Sequence, residues 1–205
     1  RYEYYHRKEE KVSFDLEYLN KITSGGISNK TLTIALAGTG VGKSLFMCHV
    51  ASSVLLQGKN VLYITMEMAE EKIAERIDAN LLDVAIQNIV DLPKSTFENK
   101  VTKLAAKTQG TLIIKEYPTA SAHSGHFKAL LSELALKKSF RPDIIFIDYL
   151  NICASSRYKS GMSVNSYSYI KSIAEELRGL AGEAEVPIVS ATQTTRSGYG
   201  SSDVD

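Results

Sequence analysis

The sequence predicts an α/β fold, a doubly wound and mainly parallel sheet with helices on both faces. Short apolar segments rich in β-branched residues alternate with longer segments of helical periodicity along most of the chain. The apolar segments, such as DIIFID, are nearly continuous, which is typical of parallel strands buried on both faces. The chain has 205 residues, 44% of them hydrophobic, as expected for one ordinary domain with a single core.

The first residues are predicted to precede this domain. Residues 1–11 mix both charge signs with tyrosines and indicate an exposed helical linker. A weak strand over residues 12–14 follows, and Gly25 and Gly26 predict a turn. The chain is therefore divided into a linker helix and lead-in over residues 1–27 and one α/β domain over residues 28–205.

The domain contains five strong strand segments with helical segments between them. The strands are predicted at Leu32–Ala37, Val61–Met66, Leu112–Tyr117, Ile144–Asp148 and Pro187–Thr192. The helices are predicted at Lys43–Gln57, Ala69–Leu82, Thr96–Lys107, Phe127–Lys138 and Tyr167–Glu185. Strands that alternate with helices pair in parallel through right-handed crossovers, and such sheets bind ligands at the carboxyl ends of their strands.

Charge and cysteine content narrow the classes of function. The formal net charge of +1 provides no global field for nucleic acid or an anionic membrane, so polyanion binding requires a local patch. Cys48 and Cys153 lack CxxC spacing, and neither a secretory signal nor a membrane-spanning apolar run is present in the sequence. These features predict a protein of the reducing cytoplasm with no membrane partner. His123 and His126, the closest histidine pair, have no Cys or acidic ligand beside them and are interpreted as surface residues.

The segment AGTGVGKS, residues 37–44, follows the first strong strand and predicts a phosphate-binding loop. Its glycines allow the dihedral angles and the close backbone approach by which amide N–H groups surround an anion. Lys43 can reach the β- and γ-phosphates, Ser44 can bind Mg²⁺, and the following helix directs its positive end at the same anion. Ala37 replaces the glycine of the strict GxxxxGK[ST] pattern, a departure that a turn tolerates. The predicted nucleotide-binding residues are Gly38, Thr39, Gly40, Val41, Gly42, Lys43, Ser44 and Leu45.

Two carboxylates stand at or just beyond the ends of predicted strands. Asp148 ends the strand IIFID, where a carboxylate can hold Mg²⁺ at the functional edge of the sheet; the simpler alternative is a cap for the next segment. Glu67 directly follows the predicted strand VLYITM, so it can act as the general base that orients or deprotonates an attacking water. Glu70 and Glu71 are explained by the preference of acidic residues for a helix N-terminus, and the same explanation is the alternative for Glu67.

Gln193 stands at the end of the last predicted strand. Its amide can hydrogen-bond a γ-phosphate or the attacking water and report nucleotide state to the loop that follows; the alternative is an ordinary polar strand end. Lys43, Glu67 and Gln193 are therefore the predicted catalytic residues, and Ser44 and Asp148 are the predicted Mg²⁺ ligands.

The blocks AGTGVGKS, YITMEM, IIFIDYL and ATQ, in this order on an alternating α/β chain, resemble the RecA-like motor core of DnaB-type hexameric replicative helicases. Further blocks, among them GKNVLYITMEMAEE, RIDANLLDV and SSDV, resemble the members of that family found in T-even phages. The resemblance covers residues 11–205, and such a series of blocks is far more specific than a phosphate loop alone.

The resemblance implies a RecA-like P-loop NTPase fold and a 5'-to-3' helicase that surrounds one DNA strand. It implies hydrolysis of ATP or GTP with Mg²⁺ at the clefts between subunits of a homohexameric ring. It also implies partners, namely single-stranded or forked DNA, a primase and a helicase loader, and a location in the cytoplasm of a phage-infected bacterium. An N-terminal collar domain and an arginine-finger segment belong to the family pattern and are not in this sequence, so we expect a C-terminally incomplete motor domain that hydrolyses poorly alone.

In that family, the loops after the Asp148 strand and the Gln193 strand face the central channel and hold DNA. The sequence supports this reading, because residues 149–174 include no acidic residue and alternate basic residues with tyrosines. Such a pattern suits the backbone and base faces of a single strand; the alternative is a solvated polar loop. The predicted DNA-binding residues are Arg157, Lys159 and Arg196.

Two functions of other classes stay open at this point. A RecA-type recombinase shares the core but forms filaments, and the lead-in helix and the long loop over residues 151–166 favour the helicase. A non-enzymatic nucleotide-binding adaptor would not need a base at the position of Glu67.

Overall fold

Five parallel strands form one sheet at the centre of the structure, a computed structural model that describes residues 2–3, 10–158 and 164–193. The strands are β1 (Leu32–Ala37), β2 (Val61–Thr65), β3 (Leu112–Glu116), β4 (Ile144–Asp148) and β5 (Ile188–Gln193). Their order across the sheet is β1-β5-β4-β2-β3, and every neighbouring pair is parallel. The predicted fold class is confirmed, and this order brings the ends of β1, β5, β4 and β2 side by side.

Helices precede the sheet and connect its strands. They are α1 (Glu17–Ile22), α2 (Lys43–Leu56), α3 (Glu70–Leu82), α4 (Lys94–Ala105), α5 (Ser124–Lys138) and α6 (Ser166–Ala184), with short 3-10 turns at Ile86–Asn88 and Leu150–Ile152. Among the described residues, none of the helices combines the length and the apolar character that crossing a membrane requires.

The observed elements differ from the predicted ones mainly at their ends. The weak strand predicted over residues 12–14 is only a single antiparallel bridge, between Val12 and Ile27. Helix α5 begins at Ser124, three residues before the predicted start, because His123 and His126 cap its N-terminus. The short helix α1 was not predicted, and most of the helical linker predicted over residues 1–11 lies outside the described residues.

Apolar side chains alternate between the two faces of the sheet. On one face, Val61 and Tyr63 of β2 belong to a buried cluster with α2 and α3. On the other face, Leu62 and Ile64 belong to a second cluster with α5 and α6. All residues of β2 are buried, and the same holds for β4. Burial on both faces explains the nearly continuous apolar strands of the sequence, and it confirms helices on both sides of the sheet.

The residues before β1 pack against the first of these clusters. Val12, Phe14 and Ile27 are buried there together with side chains of α2. Residues 12–27 therefore contribute to the domain core, and the boundary at residue 27 stays a prediction.

Candidate active site

Strand register brings the predicted site residues to one edge of the sheet. Ala37 at the end of β1 pairs with Gln193 at the end of β5. Thr65 at the end of β2 pairs with Asp148 at the end of β4, and β4 in turn pairs with β5. Because all strands run in the same direction, the phosphate loop and the residues after β2, β4 and β5 lie at the same carboxyl edge.

The phosphate loop adopts the backbone that its glycines predict. Gly40 and Gly42 have φ angles of 74° and 104°, in the left-handed region that favours glycine. Gly42 is the N-cap of α2, and no side chain of the described residues caps the first turn of this helix. The amide N–H groups at the start of α2 are therefore available to an anion.

Lys43 bends back over this loop. Its ammonium group donates a hydrogen bond to the carbonyl oxygen of Gly38 at 2.9 Å, and it lies 5.8 Å from the centre of the Tyr149 ring. A phosphate oxygen can replace the Gly38 carbonyl as the acceptor, since it is a stronger acceptor for an ammonium group than a neutral carbonyl. The structure thus holds the Lys43 charge within the loop that the sequence assigns to phosphate.

Asp148 is fully buried and has one oxygen without a partner. The hydroxyl of Tyr63 donates to Oδ2 at 3.0 Å, whereas Oδ1 is buried and accepts no hydrogen bond from the described residues. Burial raises the pKa of Asp148, and the hydroxyl groups of Ser44 and Tyr63 oppose that shift. A buried carboxylate oxygen beside a serine hydroxyl is the kind of donor set that Mg²⁺ prefers, so these residues fit the ion.

Glu67 lies just beyond β2 and is exposed. Thr65 fixes the turn that carries it, because its hydroxyl donates to the Met68 carbonyl at 2.8 Å and accepts from the Met68 amide at 3.2 Å. Burial raises the pKa of Tyr149, and the charge of Glu67 adds to that shift. Helix α3 begins only at Glu70, so the helix-terminus explanation applies to Glu70 and not to Glu67.

Gln193 is half-buried at the end of β5, beside the first residue of the phosphate loop. Its neighbour Thr192 reaches another part of the site, since the Thr192 hydroxyl donates to Oδ1 of Asn151 at 2.7 Å. Asn151 follows Asp148 within the 3-10 turn at Leu150–Ile152. The end of β5 is therefore joined directly to the segment that leaves β4.

The predicted DNA-binding residues are only partly described. Arg157 is half-exposed and forms an ion pair with Glu175 of α6. Lys159 and Arg196 lie outside the described residues. Sequence reasoning did not identify Glu175 as the partner of Arg157. Glu175 directly follows residues 149–174, which include no acidic residue, and only the fold places it against Arg157.

Glu176, the next residue of α6, anchors the start of the loop after β4. Its carboxylate accepts hydrogen bonds from the Ser155 hydroxyl at 2.6 Å, the Ser156 hydroxyl at 2.9 Å and the Ser124 hydroxyl at 2.9 Å. The Ser156 amide also donates to it at 3.1 Å. Burial raises the pKa of Glu176, but these hydrogen bonds outweigh burial and hold the pKa below its usual value. The carboxylate joins α6, the start of α5 and the loop after β4.

Sequence reasoning also missed the role of Tyr63 and of the histidine pair. A tyrosine within the buried strand VLYIT was a usable signal, since a buried hydroxyl needs a partner. His123 and His126 form a reciprocal cap at the start of α5: Nδ1 of His123 accepts from the Gly125 amide at 3.0 Å, and Nδ1 of His126 accepts from the His123 amide at 3.2 Å.

Comparison with known proteins identifies relatives of this chain. The model of the DnaB-like helicase C-terminal domain family matches residues 12–203. A DnaB-like replicative helicase of Enterobacteria phage T4 is 49% identical over 204 residues, which is 98% of this chain and 43% of that protein. The chain thus spans less than half the length of this relative.

Solved structures show the same fold. A DnaB-like replicative helicase, described with its interactions with primase, aligns with a TM-score of 0.74 at 18% identity over 98% of this chain and 47% of that one. The ATPase domain of G40P aligns with a TM-score of 0.74 at 17% identity over 96% of this chain and 68% of that one. Both likenesses support the RecA-like arrangement of the five strands.

Proposed function

Because this chain belongs to the family of DnaB-like helicase C-terminal domains, we propose that it is the motor domain of a replicative DNA helicase. In this proposal it hydrolyses ATP or GTP and moves 5' to 3' along single-stranded DNA. One observation carries the enzymatic part, namely that the phosphate loop, Glu67 and the buried Asp148 meet at one edge of the sheet. A non-enzymatic nucleotide-binding adaptor would need only the phosphate loop. The match to the DnaB-like helicase family disfavours a recombinase.

The phosphate loop and its neighbours bind the nucleotide. The amide N–H groups of residues 38–45 surround the phosphates, and Lys43 exchanges the Gly38 carbonyl for a phosphate oxygen. Ser44 and Asp148 are the residues that we assign to Mg²⁺, with Oδ1 of Asp148 as its free oxygen. When it is bound, Mg²⁺ neutralises part of the phosphate charge.

Glu67 and Gln193 act on the γ-phosphate side of the nucleotide. Glu67 is exposed on a braced turn, so it can accept the proton of the attacking water. Gln193 stands beside the phosphate loop and hydrogen-bonds the γ-phosphate or that water. The bond between Thr192 and Asn151 then transmits the position of the β5 end to the loop after β4.

The loops after β4 and β5 hold the DNA strand, through Arg157, Lys159 and Arg196. Arg157 first has to exchange Glu175 for a phosphate, which is feasible because this ion pair is half-exposed. We further propose a homohexameric ring with a primase and a helicase loader as partners, in the cytoplasm of a phage-infected bacterium. The phage T4 relative supports the setting, and the structural neighbour described with primase supports that partner.

Unwinding of forked DNA by the whole protein that contains this chain tests the proposal. We expect unwinding of forks with a 5' single-stranded tail, in the presence of ATP or GTP and Mg²⁺. Lys43→Ala should abolish nucleotide binding and unwinding, whereas the control Lys59→Ala, at a surface ion pair with Glu10, should leave both intact. Wild-type nucleotide affinity in Lys43→Ala would show that this loop does not bind the nucleotide. A preference for forks with 3' tails would contradict the proposed 5'-to-3' direction.

A further inference from the structure

The hydroxyl of Tyr63 on β2 donates to Oδ2 of Asp148 at the end of β4. We propose that Tyr63 is a positioning residue, which fixes Oδ2 within the core and thereby presents Oδ1 to the metal ion that accompanies the nucleotide. The inference rests on the proposed function, because it requires Asp148 to be the carboxylate that is linked to the metal.

The ring of Tyr63 holds this hydroxyl in place. Tyr63 and Phe146 are paired residues of the neighbouring strands β2 and β4, and their rings stack with centroids 5.7 Å apart at 12°. Both side chains are fully buried, so the Tyr63 ring has no free space into which it could turn. The donor therefore stays at Asp148.

The hydrogen bond fixes the orientation of the carboxylate group. The terminal torsion of an aspartate side chain is broad, so Asp148 alone would not fix the plane of its carboxylate. With Oδ2 held by Tyr63, Oδ1 is left as a buried acceptor that no described residue satisfies. Such an oxygen is costly in a core unless a cation or a donor reaches it.

The Tyr63 hydroxyl also accepts a hydrogen bond, from Cys48. The Cys48 thiol on α2 lies 3.8 Å from the Tyr63 oxygen and donates to it. The Tyr63 hydroxyl has a single proton, which it donates to Asp148, so its oxygen is free to accept the proton of the Cys48 thiol. The three side chains connect the helix that begins at the phosphate loop with the carboxylate at the end of β4.

Packing does not account for the hydroxyl. A phenylalanine at position 63 would fill the same space between β2 and α2 without the cost of burying a polar group. Tyr63→Phe therefore removes the two hydrogen bonds of the Tyr63 hydroxyl, to Asp148 and from Cys48, and keeps the ring stack, which makes it the variant of choice.

The test measures how strongly the whole protein binds ADP, first in EDTA and then over a range of Mg²⁺ concentrations. In Tyr63→Phe, the ADP affinity in EDTA should stay close to wild type, and the protein should still melt in one cooperative transition, at a temperature lowered by the loss of the two buried hydrogen bonds. The Mg²⁺ concentration that gives half of the gain in ADP affinity should rise about 10- to 100-fold, the usual effect of losing a residue that orients a metal ligand. A Mn²⁺ titration followed by electron paramagnetic resonance should show the same weakening without any turnover.

Two further variants make the result decisive. Ser190→Ala loses another buried hydroxyl bond, from Ser190 to the Ile147 carbonyl, and should leave the Mg²⁺ requirement unchanged. Asp148→Asn should raise that requirement. If Asp148→Asn raises it and Tyr63→Phe does not, the positioning role is wrong while the metal assignment stands. If neither variant changes it, Asp148 is not the metal-linked residue and the inference fails with that assignment.

Discussion

The hydroxyl of Thr192 and the side-chain oxygen of Asn151 lie 2.7 Å apart and form a hydrogen bond between the ends of two neighbouring strands. Thr192 directly precedes Gln193, and Asn151 stands in the turn that follows Asp148. The backbones of β4 and β5 are paired further back, at residues 145–147 and 188–190. The hydrogen bond between Thr192 and Asn151 therefore links β4 and β5 beyond their backbone pairing. It lies next to Gln193, the predicted nucleotide sensor, and at the start of the loop after β4, which is predicted to bind DNA.

Thr192→Val should remove the hydrogen bond that links the end of β5 to the turn after β4. Valine keeps the shape and the strand propensity of threonine but removes the donor. We expect nucleotide affinity to stay near wild type and the stimulation of hydrolysis by single-stranded DNA to fall about 2- to 10-fold, which corresponds to one neutral hydrogen bond. Hydrolysis rates with and without DNA measure this ratio, and an unchanged ratio would show that the bond is only structural.

Glu67→Gln should separate binding from turnover. The amide is isosteric with the carboxylate but does not accept a proton, so nucleotide binding should persist while hydrolysis falls about 10²- to 10⁴-fold. The matched control is Glu70→Gln, in the first turn of α3, which should keep turnover near wild type. Full DNA-stimulated turnover in Glu67→Gln would remove Glu67 from the catalytic residues.

The ion pair between Arg157 and Glu175 predicts opposite effects of two neutral variants. Arg157→Gln removes a positive charge from the predicted DNA path, so single-strand affinity should fall and its dependence on salt should become less steep, by about 0.7 in log–log slope per lost phosphate contact. Glu175→Gln frees Arg157, so affinity should rise at low salt. Binding isotherms at several salt concentrations measure both, and unchanged slopes would exclude this loop from the DNA path.

Much of the fold was predictable because its strands are buried on both faces. The continuous apolar runs of β2 and β4 marked the strands, and the regular alternation with helices implied parallel pairing. Helix starts were less predictable: α5 begins at a cap made by histidines, which are unusual in that role.

The placement of the predicted site residues at one edge of the sheet was predictable from their positions at strand ends, because parallel strands end at the same edge. Their chemical roles stay predictions. Tyr63 was not predicted, since its contact with Asp148 depends on which strand pairs with β2. Glu176 was not predicted either, because only the packing of α6 brings it to Ser155 and Ser156. The family resemblance inferred from the motifs is confirmed by the family match over residues 12–203.

The histidine cap of α5 should make stability depend on pH. Nδ1 of His123 accepts from the Gly125 amide only in the neutral ring, and burial, followed by the charge of His126, lowers the pKa of His123 from 6.5. The unfolded chain therefore binds the proton more readily, so stability is retained above pH 6.5 and lost as pH falls below it. Thermal melts from pH 8 to 5 should show this loss, and His123→Asn, which keeps a cap but does not titrate, should reduce it. An equal loss in His123→Asn would assign the effect to other groups.

Glu176 should stabilise the start of the loop after β4 only while it is ionised. Its hydrogen bonds from Ser155, Ser156 and Ser124 hold its pKa below 4.5 against the effect of burial, so they favour the folded state at neutral pH. Glu176→Gln, which loses the charge, should lower the free energy of unfolding by about 1–3 kcal/mol at pH 7 and speed hydrogen exchange at the Ser156 amide. Because the folded-state pKa is lowered, the difference from wild type should shrink as pH falls from 4.5 through that pKa.

The matched control for this prediction lies on the same helix. Glu183 of α6 forms an exposed ion pair with Lys128, so Glu183→Gln should change stability little at any pH and leave exchange at Ser156 unaltered. Chemical unfolding of the three proteins between pH 7 and pH 3 measures the differences directly. If the Glu176→Gln difference stays constant over that range, the ionised carboxylate is not what stabilises the loop, because protonation of Glu176 in wild type would then have no consequence.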